Sequence, residues 1–197
     1  MKNTYRTINT NSEYLFKEKQ SRFLGFAFPV SKIQTIKTHI YKLKKTHHTA
    51  RHFCYAYQIG ITETSYRLND DGEPRNSAGA PIYGQIQSFD LTDILIVVVR
   101  YFGGTKLGIG GLVSAYKECA KLTIETNKII TKEIIIPINI KFEYPLMNSV
   151  MRIIKEHNLE IKTQEMHTNC TFEILTTKKN NTIVCNQFKQ NPNIEIL

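Results

Sequence analysis

The chain has 197 residues, of which 41% are hydrophobic, and its 26 Lys and Arg residues against 17 Asp and Glu residues give a formal net charge of +9. This length and apolar content predict one large or two small packed domains and argue against a disordered chain. The apolar runs are too short to span a bilayer and the first residues lack the apolar core of a signal peptide, so we expect a cytoplasmic location and no membrane partner.

The positive charge is concentrated in the first two-thirds of the chain. Through Lys128 there are 18 Lys and Arg residues against 10 Asp and Glu residues, whereas from Ile129 onward there are 8 against 7. Such a distribution favours RNA or another polyanion as a partner. A solvated, lysine-rich surface with no binding role is the alternative. The four cysteines lack CxxC spacing, which is typical of reduced, buried thiols.

Hydrophobic periodicity and turn residues predict two successive units. The first should contain strands at 14–19, 23–28, 53–59, 66–68 and 94–100 and helices at 33–43, 77–87 and 112–127. Ser31 and Ser77 are the expected N-caps of the first two helices. The second should contain strands at 134–142, 159–166, 168–175 and 194–197 and helices at 146–157 and 180–190. The fold class is therefore α+β, with domains at 1–129 and 130–197, the latter having the βαββαβ order of a ferredoxin-like domain.

The segment ILIVVVRYFGGTKLGIGGLVSAY, residues 94–116, is the most informative in the chain. A continuous apolar run predicts a strand buried on both faces. It is followed by a glycine-rich loop with a cation on either side, Arg100 and Lys106, which predicts a cradle for an anion such as a phosphate. The glycines are Gly103, Gly104, Gly108, Gly110 and Gly111. The alternative is that they only permit a tight strand-to-helix turn.

The glycine spacing excludes the standard nucleotide-binding loops. No glycine is followed by Lys-Ser or Lys-Thr as in a P-loop, and Val113 occupies the position of the third glycine of a dinucleotide fingerprint. ATPase and Rossmann functions are therefore disfavoured, and no cofactor is predicted.

Two further clusters carry candidate chemistry. His48, Arg51 and His52 could donate to a phosphate, or the histidines could be packed at a helix–strand junction; zinc binding with Cys54 is less favoured, and no metal is predicted. Asp70, Asp71 and Glu73 could bind magnesium or supply a general base, but carboxylates in such a turn more often cap backbone N–H groups or face water. Since no nucleophile–base pair is readable, no catalytic residue is assigned.

The segments HHTARHFCYAY, LNDDGEPRNSAGAPI and VVVRYFGGTKLGIGGLVSAY together resemble the signature of the YigZ/IMPACT family (UPF0029) in its bacterial two-domain form. The resemblance implies an N-terminal β-α domain with the two-layer fold of a ribosomal protein and several nucleotide-handling enzymes. It also implies a ferredoxin-like C-terminal domain similar to the last domain of elongation factor G. Eukaryotic relatives act in translational control through a general-control kinase. Asn76-Ser77 departs from the Gly-Thr that bacterial relatives usually carry.

The leading hypothesis is a binding protein in regulation of translation, with RNA, a ribosome or a translation factor as its partner. The phosphates would contact His48, Arg51, His52, Arg100, Lys106 and the glycine-rich loop. One alternative is an enzyme that acts on a phosphorylated or nucleotide substrate in the same cleft, with an acid from Asp70, Asp71 or Glu73. The other is a protein-interaction module with no anion site.

Overall fold

The computed structural model describes residues 2–197, which form two compact units. One unit spans Tyr5–Lys132, and the other combines Glu133–Leu197 with the first few residues of the chain. Both units contain strands and helices, which confirms the α+β fold class. Within residues 2–197 no helix is both long and apolar enough to cross a membrane.

The first unit is built on a five-stranded antiparallel sheet in the order β2-β3-β6-β4-β5. Its strands are β2 (Ser12–Glu18), β3 (Ser21–Pro29), β4 (His52–Ile59), β5 (Ser65–Asn69) and β6 (Ile94–Tyr101), and its helices are α1 (Ile33–Thr46), α2 (Gly79–Ser88) and α3 (Gly108–Glu125). A separate two-stranded ribbon pairs β1 (Thr4–Ile8) with β7 (Ile129–Glu133), two strands that the sequence pattern did not predict.

Strand β6 lies at the centre of this sheet and is covered on both faces, as predicted. One set of its side chains, Ile94, Ile96 and Val98, packs in a core with α2 and α3. The alternate set packs in a second core with α1. Burying each such side chain contributes about 1.5–3 kcal/mol relative to exposure. Helix α1 thus adds a third layer to the two-layer arrangement that the family resemblance implied.

The predicted helix starts need three corrections. The N-cap of α1 is Lys32, not Ser31, and no side chain caps it. Ser77 donates its hydroxyl to the carbonyl of Pro74 at 2.6 Å instead of capping α2. Helix α3 begins at Gly108, four residues earlier than predicted, because the packing of its later turns outweighs the low helix propensity of glycine.

The second unit has the predicted βαββαβ order, with the sheet order β11-β8-β10-β9 and antiparallel pairing throughout. Its elements are β8 (Ile135–Glu143), α4 (Met147–Glu156), β9 (Glu160–Glu165), β10 (Asn169–Thr177), α5 (Asn181–Lys189) and β11 (Ile194–Ile196). Val150, Phe172 and Phe188 lie in a core of its own.

Candidate anion-binding site

In the glycine loop, residues 103–111, Gly108 is the one predicted glycine that lines a cavity of the first unit, since Gly103, Gly104, Gly110 and Gly111 are outside its lining. Residues 106–109 form one wall of this cavity, whose volume is about 400 Å³. We call it the first cavity. Arg51, Glu73, Arg100 and Lys106 are its charged lining residues. Its volume is within the range of small-molecule sites. The antiparallel pairing of β4 with β6 places His52 opposite Arg100, so the start of β4 and the end of β6 both lie at this cavity.

The first residues of helix α3 line the first cavity, and no side chain caps the start of the helix. Its N-cap residue, Leu107, makes no side-chain hydrogen bond, and its first turn holds no acidic residue. The free N–H groups of a helix start carry a partial positive charge that favours anions. Gly108 has φ +72°, a conformation that glycine adopts without strain, and the space beside it is open.

Two exposed cations, Arg51 and Lys106, line the same cavity. Within residues 2–197 neither has an ion-pair or hydrogen-bond partner. An unpaired surface cation keeps its charge available for a ligand, and the anion-binding role of both residues stays a prediction.

Arg100 does not offer an open positive charge, which corrects the expectation for this residue. Its side chain is only 7% exposed, and Nη1 donates to Oε1 of Glu73 at 2.6 Å. The guanidinium lies between the rings of Phe23 and Phe102, 5.5 and 5.6 Å from their centroids. Its Nε–H has no hydrogen-bond partner. Glu73 neutralises the charge of Arg100, although Arg100 still lines the cavity.

The three carboxylates predicted as an acidic site, Asp70, Asp71 and Glu73, have different roles in the structure. Asp70 accepts from the backbone N–H groups of residues 76, 78 and 79 at 2.8–3.0 Å and so caps α2. Oδ2 of Asp71 accepts from the N–H of Phe53 at 2.8 Å, and its Oδ1 lies 3.5 Å from Nζ of Lys44. Only Glu73 lines the first cavity. Its Oε1 also accepts from Tyr116 at 2.8 Å. The enzyme hypothesis would thus depend on a carboxylate that Arg100 and Tyr116 already bind.

The three candidate zinc ligands do not form a cluster. His52 lines the cavity, and its Nδ1 donates to the carbonyl of Asp71 at 3.0 Å. His48 is exposed and does not line the first cavity. Cys54 lies in the core, where burial raises the pKa of its thiol. Across residues 2–197 no group of three His, Cys, Asp or Glu residues could hold a metal ion.

A second cavity of about 470 Å³ adjoins the first and shares Arg51, His52 and Phe102 with it. Arg22 and Tyr101 line its far side, with the guanidinium of Arg22 5.0 Å from the centroid of the Tyr101 ring. Sequence reasoning assigned no site role to Phe102 or Arg22. An aromatic residue directly before a glycine pair is the sequence feature that could have identified Phe102.

The part of the chain that contains both cavities matches a known family model. The model of the Impact N-terminal domain matches residues 19–124. The IMPACT family member YvyE of Bacillus subtilis (strain 168) is 31% identical over 179 residues, covering 91% of this chain and 82% of that protein. The IMPACT family member YigZ of Escherichia coli (strain K12) is 39% identical over 100 residues, covering 50% of this chain and 49% of that protein. A crystal structure of a hypothetical protein has the same fold, with a TM-score of 0.81 at 21% identity and coverage of 100% and 98%.

The fold and the glycine loop thus define an Impact N-terminal domain followed by a ferredoxin-like unit. This chain belongs to the IMPACT family, which confirms the resemblance seen in its three motifs.

Proposed function

We propose that this protein is a cytoplasmic regulator of translation that binds RNA, free or on the ribosome, through the basic face of its first unit. We define the basic face as Arg22, Arg51, Lys106 and the start of α3. Family membership supports the role in translation, because the resemblance implies that eukaryotic IMPACT proteins act in translational control.

The first cavity is the observation that carries this proposal. Arg51, Lys106 and the uncapped start of α3 all border it. Glu73, its only acidic lining residue, is bound to Arg100. Among residues 2–197, these three sources of positive potential therefore have no counter-charge of their own, a combination that attracts phosphate.

The charge of the whole unit favours a polyanion over a small anion. Residues 5–132 contain 18 Lys and Arg residues against 10 Asp and Glu residues. Four of these lysines lie on helix α1, which contains no acidic residue. Such an excess exceeds what one phosphate requires and is typical of a surface that contacts several.

A salt titration tests the proposal. The affinity of the full chain for single-stranded RNA should fall steeply with salt, since each phosphate contact releases counterions and contributes about 0.7 to the slope of log K against log salt. Arg51→Ala/Lys106→Ala should lower that slope by roughly 1–2. Lys117→Ala/Lys128→Ala removes the same charge from exposed residues outside both cavities and is the matched control.

Two results would contradict the proposal. One is the absence of any salt-dependent affinity for RNA or ribosomes. The other is an equal loss in the two double variants, which would indicate that only net charge matters. Recovery of a translation factor that survives high salt and nuclease, without RNA binding, would favour the protein-interaction alternative.

A further inference from the structure

We propose that the first cavity holds one unstacked nucleotide of single-stranded RNA, with its base on the ring of Phe102 and its phosphate at the start of α3. The inference rests on the proposed function and names the form of RNA that the basic face selects.

Phe102 has the properties of a base-stacking platform. This residue is 55% exposed although it follows the buried central strand directly. The next residue is held in place, because the N–H of Gly103 donates to the hydroxyl of Ser21 at 3.2 Å. The guanidinium of Arg100 lies 5.6 Å from the centroid of the Phe102 ring. An exposed ring beside cations is how sequence-tolerant RNA-binding proteins stack bases.

The wall beside Phe102 is apolar and suits a base. Leu107, Ile109 and Leu112 line the same cavity, and Ile109 is 63% exposed. A single exposed apolar side chain carries no information about function. Here Phe102 and Ile109 share one cavity with Arg51 and Lys106, which matches the apolar base and the charged phosphate of one nucleotide.

The start of α3 and two exposed cations mark the phosphate end of the cavity. The start of α3 has neither a side-chain cap nor an acidic residue in its first turn. Arg100 lines the cavity beside it, with a side chain only 7% exposed and an Nε–H that has no partner. That N–H is buried and Glu73 neutralises the guanidinium, so the phosphate contacts come from the helix start, Arg51 and Lys106.

The geometry selects single strands over duplexes. The bases of a duplex are stacked inside the helix and cannot reach an aromatic platform, whereas those of a single strand can. The second cavity continues from the first across Phe102 and Arg51, and Arg22 and Tyr101 lie on its far side. It therefore offers space, a cation and another ring to the neighbouring nucleotide.

Fluorescence polarisation with the full-length protein tests this inference. The probes are a labelled single-stranded RNA of about ten nucleotides and a duplex of the same length. Phe102→Leu keeps an apolar side chain but removes the ring, so single-strand affinity should fall by about 5- to 150-fold, the range of one base–aromatic stack, while duplex binding stays unchanged. Phe102→Tyr should retain wild-type affinity. Tyr41→Ala, which removes a ring 69% exposed on α1, is the control.

A second measurement uses the wild-type protein, so it does not depend on whether a variant folds. A single-stranded RNA carrying 2-aminopurine should gain fluorescence on binding the wild-type protein, because the base leaves the neighbouring bases that quench it for the ring of Phe102, which is a weak quencher. Unchanged fluorescence on saturation, or equal losses of single-strand and duplex affinity in Phe102→Leu, would overturn the stacking inference. If Arg51→Ala/Lys106→Ala still reduces the salt slope in that case, the proposed function stands. If the wild-type protein binds neither RNA, both proposals fail.

Discussion

At the residue scale, the burial of Arg100 with Glu73 makes each side chain depend on the other. Their side chains are 7% and 4% exposed, so neither charge is hydrated. Glu73→Gln should lower the free energy of unfolding by about 3–5 kcal/mol, because it leaves a buried guanidinium without its counter-charge. Urea denaturation followed by circular dichroism measures this loss.

The double variant Glu73→Gln/Arg100→Met tests whether the two side chains are energetically coupled. It should lose less stability than the sum of Glu73→Gln and Arg100→Met, since it leaves no unpaired charge behind. Losses that simply add would show that the two side chains are not energetically coupled. Lys121→Met is the control, since Lys121 pairs with Glu118 and Glu125 at the surface and should contribute less than about 1 kcal/mol.

Two glycines of the loop should respond in opposite ways to alanine. A Cβ on Gly103 would overlap the backbone of Gln20 and Ser21, whereas one on Gly110 would meet nothing within 4 Å. Gly103→Ala should therefore lower the melting temperature. Gly110→Ala should raise stability by about 0.5–1 kcal/mol, because Gly110 lies in the first turn of α3. Thermal unfolding of both variants checks this, and equal effects would contradict the packing described around Gly103.

At the element scale, α2 depends on a cap from outside its own sequence. Asp70 accepts from three backbone N–H groups around the helix start, and Ser77 caps none of them. Asp70→Ala should cost about 2–3 kcal/mol, more than an ordinary N-cap, because these hydrogen bonds are to a charged group. Ser77→Ala should cost about 1 kcal/mol. Chemical denaturation compares the two, and a larger loss for Ser77→Ala would restore it as the cap.

Most elements could be predicted because their sequence periods are clear. The run from Ile94 to Val99 has no alternation because both faces of β6 are covered. The pair β1 and β7 was missed, since each strand is five residues long and acquires its partner from the other end of the first unit. The start of α3 was missed because four glycine-rich residues resemble a loop until the packing of Leu112 and Tyr116 is known.

At the scale of the whole molecule, the two units should fold and bind separately. Each has its own core, and the excess of positive charge lies in Tyr5–Lys132. A fragment of residues 5–132 should unfold cooperatively and retain the salt-dependent RNA affinity of the full chain. A fragment of residues 133–197 should fold but bind RNA at least tenfold more weakly. Comparable affinity in the second fragment would place the RNA site outside the basic face.

The sequence by itself determined the family from its motifs and the uneven charge from its composition. Local hydrophobic periodicity was enough to predict the α+β class, the buried central strand and the βαββαβ order. Only the tertiary structure decided which charges remain available. Glu73 neutralises Arg100 from 27 positions away, while Arg51 and Lys106, which line the same cavity as Phe102, have no ion-pair partner among residues 2–197. Strand register and packing bring such distant side chains together, and a charge that is paired and buried no longer attracts a ligand.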